Sequence, residues 1–382
     1  MHILLNADCI YPPLTGIGRY AFRLATGLQT HPLIQRLDTL AGGREVDLAS
    51  RLGTEPRWLQ VAKKLPFQSL LRRTYEHVRN AREHSRQAPS SKDVIYHEPR
   101  YIAARVRYPL VVTVHDLSHV RHPEFHRPDA VEHLERGLAD SLERATRVIT
   151  VSEFVRDEVL AHFGLPADKV VAVKNGVDPV FHPMGPAETL AVRRKFGLEG
   201  KDYILAIGTL EPRKNLLRLF DAFSRLPDDV RKRHPIVVGG AGGWLNENIS
   251  QRLRTLESRG DVIRLGYIPE ADLPALYAGA WACAYPSVYE GFGLPALEAM
   301  AAGIPTLTSN ASSLPEVVGD TALTCDTTDV VGLSEHLARL LADDALRARL
   351  RRDGPIRAAD MSWDRCVDAT VQVYAEALQA AR

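Results

Sequence analysis

The sequence predicts two doubly wound α/β domains, each a parallel sheet with helices on both faces. Three observations carry that expectation. Short β-branched runs alternate with helix-like segments along most of the chain, the pattern of successive βαβ units. The alternation comes in two series, separated by a proline-rich stretch from Pro179 to Pro186. A chain of 382 residues also exceeds the size at which one hydrophobic core usually keeps growing. The domains are expected at 1–182 and 190–360, with an amphipathic helix at 363–382 (Val367, Val371, Tyr374, Leu378) crossing back to complete the first.

The first series opens with a strand at His2 to Asn6, a loop, and a helix from about Arg19 to Gln29. Gly16 and Gly18 let the backbone approach a ligand at that helix start. The run GIGRYA also fits the G-x-G-x-x-G/A dinucleotide fingerprint. In the true fingerprint the first glycine follows the strand closely, whereas Pro12 and Pro13 intervene here. A nicotinamide enzyme, with a functional acid near Asp38, stays an alternative, as do glycines that serve only a tight turn. Further strands are expected at Asp93 to Tyr96, Leu110 to Val114, Arg147 to Val151 and Val170 to Val173, with helices at Val131 to Arg144 and Glu153 to Phe163. Ligands of such sheets meet the carboxyl ends of the strands, which singles out His115, Asp116, Ser152 and the Asn175-Gly176 pair. Ser152 reads most simply as a helix cap and Asn175-Gly176 as a turn. His115-Asp116 places a donor and a carboxylate at the ligand edge, against the plainer reading of a structural histidine.

Residues 51–86 stand apart, with nine basic side chains (Arg51, Arg57, Lys63, Lys64, Arg72, Arg73, Arg79, Arg82, Arg86) against three acids (Glu55, Glu76, Glu83). Trp58, Leu59, Val61, Leu65, Phe67, Leu70 and Leu71 are interleaved. Such a segment suits an anionic membrane surface or an anionic acceptor. It equally suits a solvated helix packed on its domain, and the pattern alone does not separate the two. The formal net charge of +1 argues against nucleic-acid binding. No apolar run is long enough to span a bilayer, and the N-terminus MHILLNADCI shows no basic leader or cleavage site. Cys9, Cys283, Cys325 and Cys366 form no CxxC pair, so a reduced, cytoplasmic protein is expected.

The second series has strands at Ile204 to Gly208, Ile236 to Gly239, Val262 to Leu265, Trp281 to Tyr285, Pro305 to Thr308 and Ala322 to Cys325. After the first comes GTLEPRKN, where Arg213 and Lys214 at a helix start suit a diphosphate; two surface cations are the plain reading. After the second comes the flexible GGAGGW. After the third, Gly266, Tyr267 and Ile268 offer groups that could sandwich a flat base. After the fourth comes EGFGLPALEAMAAG, a loop and a helix punctuated by Pro295 and Gly303. There the amides of Phe292, Gly293 and Leu294 lack intrahelical acceptors and form an anion site. Glu290 and Glu298 flank it, each able to grip a vicinal diol. Phosphate flanked by sugars describes a nucleotide sugar.

Glu290 and Glu298, seven residues between them, reproduce the E-x7-E pattern, and EGFGLPALEAMAAGIPTLTSN resembles the donor site of glycosyltransferase family 4 almost throughout. GIGRY, TVHD, TVSEF, KNGVD and EPRKN resemble further landmarks of that family in the expected order, leaving 40–92 the poorest match. The resemblance implies a GT-B fold, two Rossmann-like domains facing across a cleft, and a retaining sugar transfer from a nucleotide diphosphate sugar. It implies that Glu290 and the amides of Phe292, Gly293 and Leu294 hold the donor sugar, Glu298 the ribose, and Arg213 and Lys214 the diphosphate. Gly16 and Gly18 would approach the phosphate and the acceptor side, and His115 the transferred sugar. Many members carry arginine after the glycine ending the first strand of the second domain. Here Thr209 follows Gly208, which throws more of the diphosphate charge onto Arg213 and Lys214. No D-x-D occurs, so no metal and no cofactor beyond the co-substrate are expected.

The pattern is most similar to bacterial mannosyl- and rhamnosyltransferases of lipopolysaccharide assembly. That favours a GDP-linked mannose-like donor and a lipid-linked or polysaccharide acceptor, reached from the inner membrane face through 51–86. Alternatives are a UDP-sugar transferase, a nucleotide sugar epimerase of the same architecture, and a non-catalytic nucleotide-sugar binder, from which turnover of the donor would distinguish an enzyme.

Overall fold

The computed structural model describes residues 1–52, 68–85, 93–240 and 247–382, with backbone alone at 68–73 and 84. Two compact units result, Met1–Gly176 with Trp363–Arg382, and Val177–Ser362.

The first unit is built on β1 (His2–Asn6), β2 (Arg36–Ala41), β3 (Arg44–Glu45), β4 (Val94–Glu98), β5 (Leu110–Val114), β6 (Arg147–Thr150) and β7 (Val170–Ala172). They lie in the order β3-β2-β1-β4-β5-β6-β7, parallel except for the β2–β3 hairpin. β4 and β5 are buried at every position, as strands of a sheet covered on both faces must be. The covering helices include α1 (Gly16–Thr30), α2 (Gln68–Ser85), α3 (Pro128–Arg144), α4 (Glu153–Phe163) and, from the far end of the chain, α7 (Trp363–Ala380). The last of these buries Val367, Val371, Tyr374 and Leu378, the stripe that its sequence spacing marks. Tyr374 also anchors it chemically: its hydroxyl meets Nδ1 of His97 at 2.6 Å, and Nε2 of His97 meets the Thr113 hydroxyl at 2.8 Å. Thr113 in turn meets the Tyr20 hydroxyl at 3.1 Å, so one buried polar chain joins α7, β4, β5 and α1.

The hairpin β2–β3 was not expected from the sequence, where the nicotinamide alternative called for a functional acid near Asp38. Asp38 instead sits mid-strand, 5% exposed, bound to Nε2 of His2 at 2.9 Å and to Nε of Arg36 at 2.8 Å. That pairing occupies the carboxylate within the sheet.

The second unit holds β8 (Ile204–Ile207), β9 (Ile236–Gly239), β10 (Val262–Gly266), β11 (Ala282–Tyr285), β12 (Thr306–Ser309) and β13 (Leu323–Cys325). Their order, β10-β9-β8-β11-β12-β13, is wholly parallel. The strand order reverses between β8 and β11, so the loops leaving these two neighbours diverge to opposite faces and open a crevice, where ligands of doubly wound sheets bind. Helices α5 (Leu216–Phe223) and α6 (Leu294–Ala301) begin at that crevice. In the first unit the reversal lies between β1 and β4.

Among the described residues no helix is long and apolar enough to cross a membrane. Of the basic stretch, 53–67 and 86 lie outside the described residues, with Arg57, Lys63, Lys64, Arg86 and the apolar residues from Trp58 to Phe67. For Leu70, Leu71, Arg72 and Arg73 only the backbone is described. Those cations whose contacts are described turn inward. Arg51 bonds the carbonyls of Ile10, Ala7 and Asp8, Arg79 reaches Glu98, and Arg82 bonds the Gly42 carbonyl. These three serve the architecture of the domain rather than a bilayer surface.

Candidate active site

Both loops at the β8/β11 crevice carry charge, and the sheet puts them side by side. The loop after β8 makes one short 3-10 turn, Pro212–Lys214, ended by Asn215 in the left-handed region at φ 59°. The Asn215 side chain donates to the carbonyls of Pro286 and Thr327 at 3.0 and 2.9 Å, which fastens this loop to those after β11 and β13. The amide of Val288 donates to the Arg213 carbonyl at 2.8 Å. Held this way, Arg213 gives Nη1 to Oε2 of Glu290 at 2.9 Å and to the Tyr289 carbonyl at 2.9 Å, and Nη2 to Oε1 of Glu211 at 2.8 Å. Lys214 gives Nζ to Oε1 of Glu290 at 2.6 Å and to the Tyr285 hydroxyl at 2.8 Å. That hydroxyl donates onward to Oε1 of Glu290 at 2.7 Å.

The backbone at Glu290 is equally fixed: its amide donates to Oγ of Ser312 at 2.9 Å, and its carbonyl accepts from Oγ of Ser313 at 2.9 Å. Burial alone would raise the Glu290 carboxyl. The charges of Arg213 and Lys214 and the bonds from Lys214 and Tyr285 outweigh it and hold the pKa down to about 2. Burial lowers Lys214, with Glu290 opposing and Arg213 adding to the shift. Burial first, then the Glu290 charge, pushes the Tyr285 phenol up.

Beside this cluster α6 starts. Gly293 is its N-cap at φ 101°, a left-handed conformation with no capping side chain. Its carbonyl accepts from Ala296 and Leu297, while the amides of Phe292, Gly293 and Leu294 carry no hydrogen bond within the described residues. The Phe292 side chain is buried. Glu298, one turn into α6, is 4% exposed, and its charge raises both Tyr277 and Cys283, after burial. It thus lies against α6's own packing face, further from solvent than a carboxylate at the helix mouth.

The glycines at the strand ends shape the crevice. Gly208 has φ 147°, and a Cβ there would meet Cε of Lys214 at 3.3 Å. At Gly240, φ 148°, a Cβ would fall 1.9 Å from the Gly208 carbonyl oxygen. Backbone therefore lines this wall, and Thr209 stands exposed beside it. Tyr267 is 56% exposed at the end of β10, while Ile268 turns inward against Gly239, where a Cβ would meet its Cδ1 at 2.2 Å. Ile268 is thus a packing residue rather than a face for a base. Of the GGAGGW loop, 241–246 lie outside the described residues.

In the first unit His115 follows β5 and is buried. Nε2 meets the Pro99 carbonyl at 2.8 Å; a carbonyl only accepts, so the proton sits on Nε2 and Nδ1 keeps a lone pair. Burial lowers its pKa, and the Tyr20 ring stands edge-on at 4.9 Å. Asp116 accepts from the Ser118 amide and hydroxyl and from the Tyr101 hydroxyl, so it organises the turn after β5. The plain reading of Ser152 as a cap holds, and the placement of the two glycines changes. Ser152 is fully buried and accepts from the Val155 amide as the cap of α4, which removes it from a ligand surface. Gly16 and Gly18 lie inside α1 rather than before it. Gly18 is buried where a Cβ would meet the Cys9 carbonyl at 2.7 Å, and Gly16 has open space around it. Gly18 is small for packing.

Sequence reasoning did not find the charged cluster at the first unit's own switch point. Asp8, after β1, accepts from the Gly42 amide and the Tyr75 hydroxyl and pairs with Arg100 and Arg79. Glu98, ending β4, pairs with the same two arginines and accepts from Asn6. Nor did it find Tyr285 and Glu211. Glu211 lies in the quoted EPRKN, and its distance of two residues from Arg213 was the available signal.

The family comparisons meet this geometry. A model of glycosyl transferases group 1 matches residues 189–357, and one of glycosyltransferase family 4 matches 14–181. Over 382 residues the chain is 37% identical to the O-antigen chain mannosyltransferase B of Escherichia coli, spanning 98% of this chain and 99% of that one. The chain belongs to glycosyltransferase family 4. Family 4 membership makes it a glycosyltransferase, and its fold is GT-B. Similar solved structures are a sucrose-phosphate synthase of Thermosynechococcus elongatus, with TM-score 0.70 and 20% identity over 100% of both chains. Another is WaaG, a glycosyltransferase involved in lipopolysaccharide biosynthesis, with TM-score 0.69 and 18% identity over 97% of this chain and 99% of that one.

Proposed function

We propose that this family 4 enzyme transfers a mannose-like hexose from a GDP-linked donor to a growing lipid-linked glycan in O-antigen synthesis, with retention at the anomeric carbon. The observation that carries the donor half of this reading is the crevice of the second unit. There two half-buried cations, Arg213 and Lys214, stand beside three amides at the start of α6 that have no partner among the described residues. The mannose and O-antigen assignments draw on the full-length similarity to the Escherichia coli mannosyltransferase.

As the anomeric bond breaks, negative charge builds on the leaving diphosphate. Preorganised cations and amides aimed there lower the barrier without reorganising. In this reading Arg213, Lys214 and the amides of Phe292, Gly293 and Leu294 receive that charge, so no metal is required. The acceptor hydroxyl attacks on the leaving-group face and passes its proton to the departing phosphate. Glu298 serves the ribose, the exposed Tyr267 ring serves the base, and His115 offers its Nδ1 lone pair to a hydroxyl of the transferred sugar.

The test is turnover of GDP-mannose, UDP-glucose and dTDP-rhamnose with a lipid-linked oligosaccharide acceptor, with and without EDTA. Transfer from GDP-mannose with an α-linked product, unchanged by EDTA, supports the reading. Transfer from a UDP sugar alone moves the donor assignment, and a β-linked product from GDP-mannose overturns retention. Flotation with anionic vesicles tests the membrane contact of 51–86: protein that stays in solution removes it.

A further inference from the structure

This inference rests on the reading of Arg213 and Lys214 as ligands of the donor diphosphate. Four charged side chains meet at the β8/β11 crevice: Arg213 and Lys214, with Glu211 and Glu290. Their charges sum to zero, so the cations that a diphosphate needs are already neutralised. Glu211 forms its ion pair with Arg213, whereas Glu290 bridges both cations. Its Oε2 takes Arg213 at 2.9 Å and its Oε1 takes Lys214 at 2.6 Å. Two oxygens of one anion shared between two cations is the arrangement that two phosphate oxygens would adopt. A diphosphate cannot take both cations while that carboxylate remains between them.

Glu290 has one further partner that carries no charge. The Tyr285 hydroxyl donates to Oε1 at 2.7 Å and accepts from Lys214 at 2.8 Å. It lies at the last position of β11, a rigid strand end, and is 3% exposed. If the cations leave Glu290, the bond from Tyr285 is the side-chain contact that remains.

We propose that Glu290 is the internal counter-anion of the resting site. The donor diphosphate displaces its carboxylate from Lys214 and Arg213, and Tyr285 retains it for the sugar hydroxyls. Tyr285 is thereby a positioning residue for the transfer. Diphosphate binding and sugar recognition are then two halves of one exchange. An intact donor supplies hydroxyls to the displaced carboxylate, whereas a nucleoside diphosphate alone leaves it without that compensation. After transfer, the return of Glu290 to the cations favours release of the nucleotide product.

Calorimetric titration of the full chain with GDP, UDP and GDP-mannose tests this, alongside Glu290→Gln and Tyr285→Phe, each checked by thermal melting. Glu290→Gln removes the competing charge at constant shape. The nucleoside diphosphate that the native protein binds is expected to bind it about tenfold tighter, the scale of one charge-assisted hydrogen bond. Equal or weaker binding overturns the proposal. Tyr285→Phe is expected to lower kcat about tenfold while KM stays within about twofold, since the tether acts after binding. A drop in melting temperature with unchanged kcat would mean a merely structural hydroxyl and overturn its positioning role. A mutation-free arm is a crystal structure of the native protein with GDP. Lys214 on a phosphate oxygen with Glu290 kept on Tyr285 supports the exchange, and Glu290 still between both cations overturns it. Native protein that binds neither GDP nor UDP overturns the proposed GDP-linked donor as well. Tight binding without the gain in Glu290→Gln overturns only the exchange.

Discussion

Replacing Lys214 by alanine separates charge stabilisation from simple architecture. The side chain is only 11% exposed, and its ammonium holds two short bonds, at 2.6 Å to Glu290 and 2.8 Å to Tyr285. Removing one preorganised donor from a developing negative charge typically costs about 10² to 10³ in kcat, or about 3–4 kcal/mol of barrier. The same change leaves Glu290 buried with Arg213 and Tyr285 as its remaining side-chain partners. Breaking a buried pair outright costs about 3–5 kcal/mol. Because Arg213 keeps its bond at 2.9 Å to the other oxygen, a smaller loss is expected, on the order of 2 kcal/mol. At about 2–4 °C per kcal/mol for a domain of this size, the melting temperature should fall by about 4–8 °C. The assay is nucleotide release from GDP-mannose at saturating donor and acceptor, at a temperature where melting shows the variant still folded. A kcat within about threefold of the native value under those conditions would refute the role of Lys214, because the effect of P–O charge stabilisation cannot be that small.

Four more outcomes follow from the geometry. Gly208→Ala places a Cβ 3.3 Å from Cε of Lys214 at a φ of 147°. It should lower both kcat and melting temperature, the latter by the equivalent of about 1–3 kcal/mol, and unchanged kinetics would disprove the tight fit of Lys214 along that glycine. Tyr374→Phe leaves Nδ1 of the fully buried His97 without its 2.6 Å partner; a loss of about 1–3 kcal/mol in denaturant unfolding is expected, with GDP affinity unaltered. Burial, followed by the neighbouring His115, lowers His97 from 6.5 to about 3, a depressed folded value. Its contribution is therefore fully present above pH 6.5 and is lost as pH falls towards about 3. His97→Gln should flatten unfolding free energy across that window. Glu290, lowered from 4.5 to about 2, adds a second loss at more acid pH with the same sign, absent in Glu290→Gln.

Most of the sheet was legible because its strands are short, fully buried β-branched runs, and such runs need no partner to be recognised. Leu110–Val114 and Ile236–Gly239 have the expected bounds. The β2–β3 hairpin was not legible. Arg36–Ala41 carries polar residues inward, among them Asp38 and Thr39, and only their partners His2, Arg36 and the Val46 carbonyl make that burial tolerable. In the crevice, the sequence placed Arg213 and Lys214 after the first strand of the second series and Glu290 after the fourth, and read them as separate grips on separate parts of a ligand. That they bind one another depends on strand order, which brings β8 beside β11 across more than seventy intervening residues. Local pattern contains no such information. Gly18 and Ile268 were misplaced for a related reason: a close approach and an inward turn both occur next to strand ends, and spacing alone does not say which way a side chain points.

The first unit is discontinuous, and this has a consequence for biosynthesis. Its sheet is laid down within residues 1–176, but the helix carrying Tyr374 leaves the ribosome only after the whole of 177–362 has done so. Until then the neighbouring faces of α1, β4 and β6 lack their cover, and His97 lacks its phenol. The second unit, by contrast, is one continuous stretch, Val177–Ser362, and can fold while the nascent chain is still tethered. Although domains usually mature from the N-terminus onward during synthesis, here the domain begun first is finished last. A nascent chain stalled before Trp363 should therefore protect 177–362 from protease while leaving 1–176 open to cleavage.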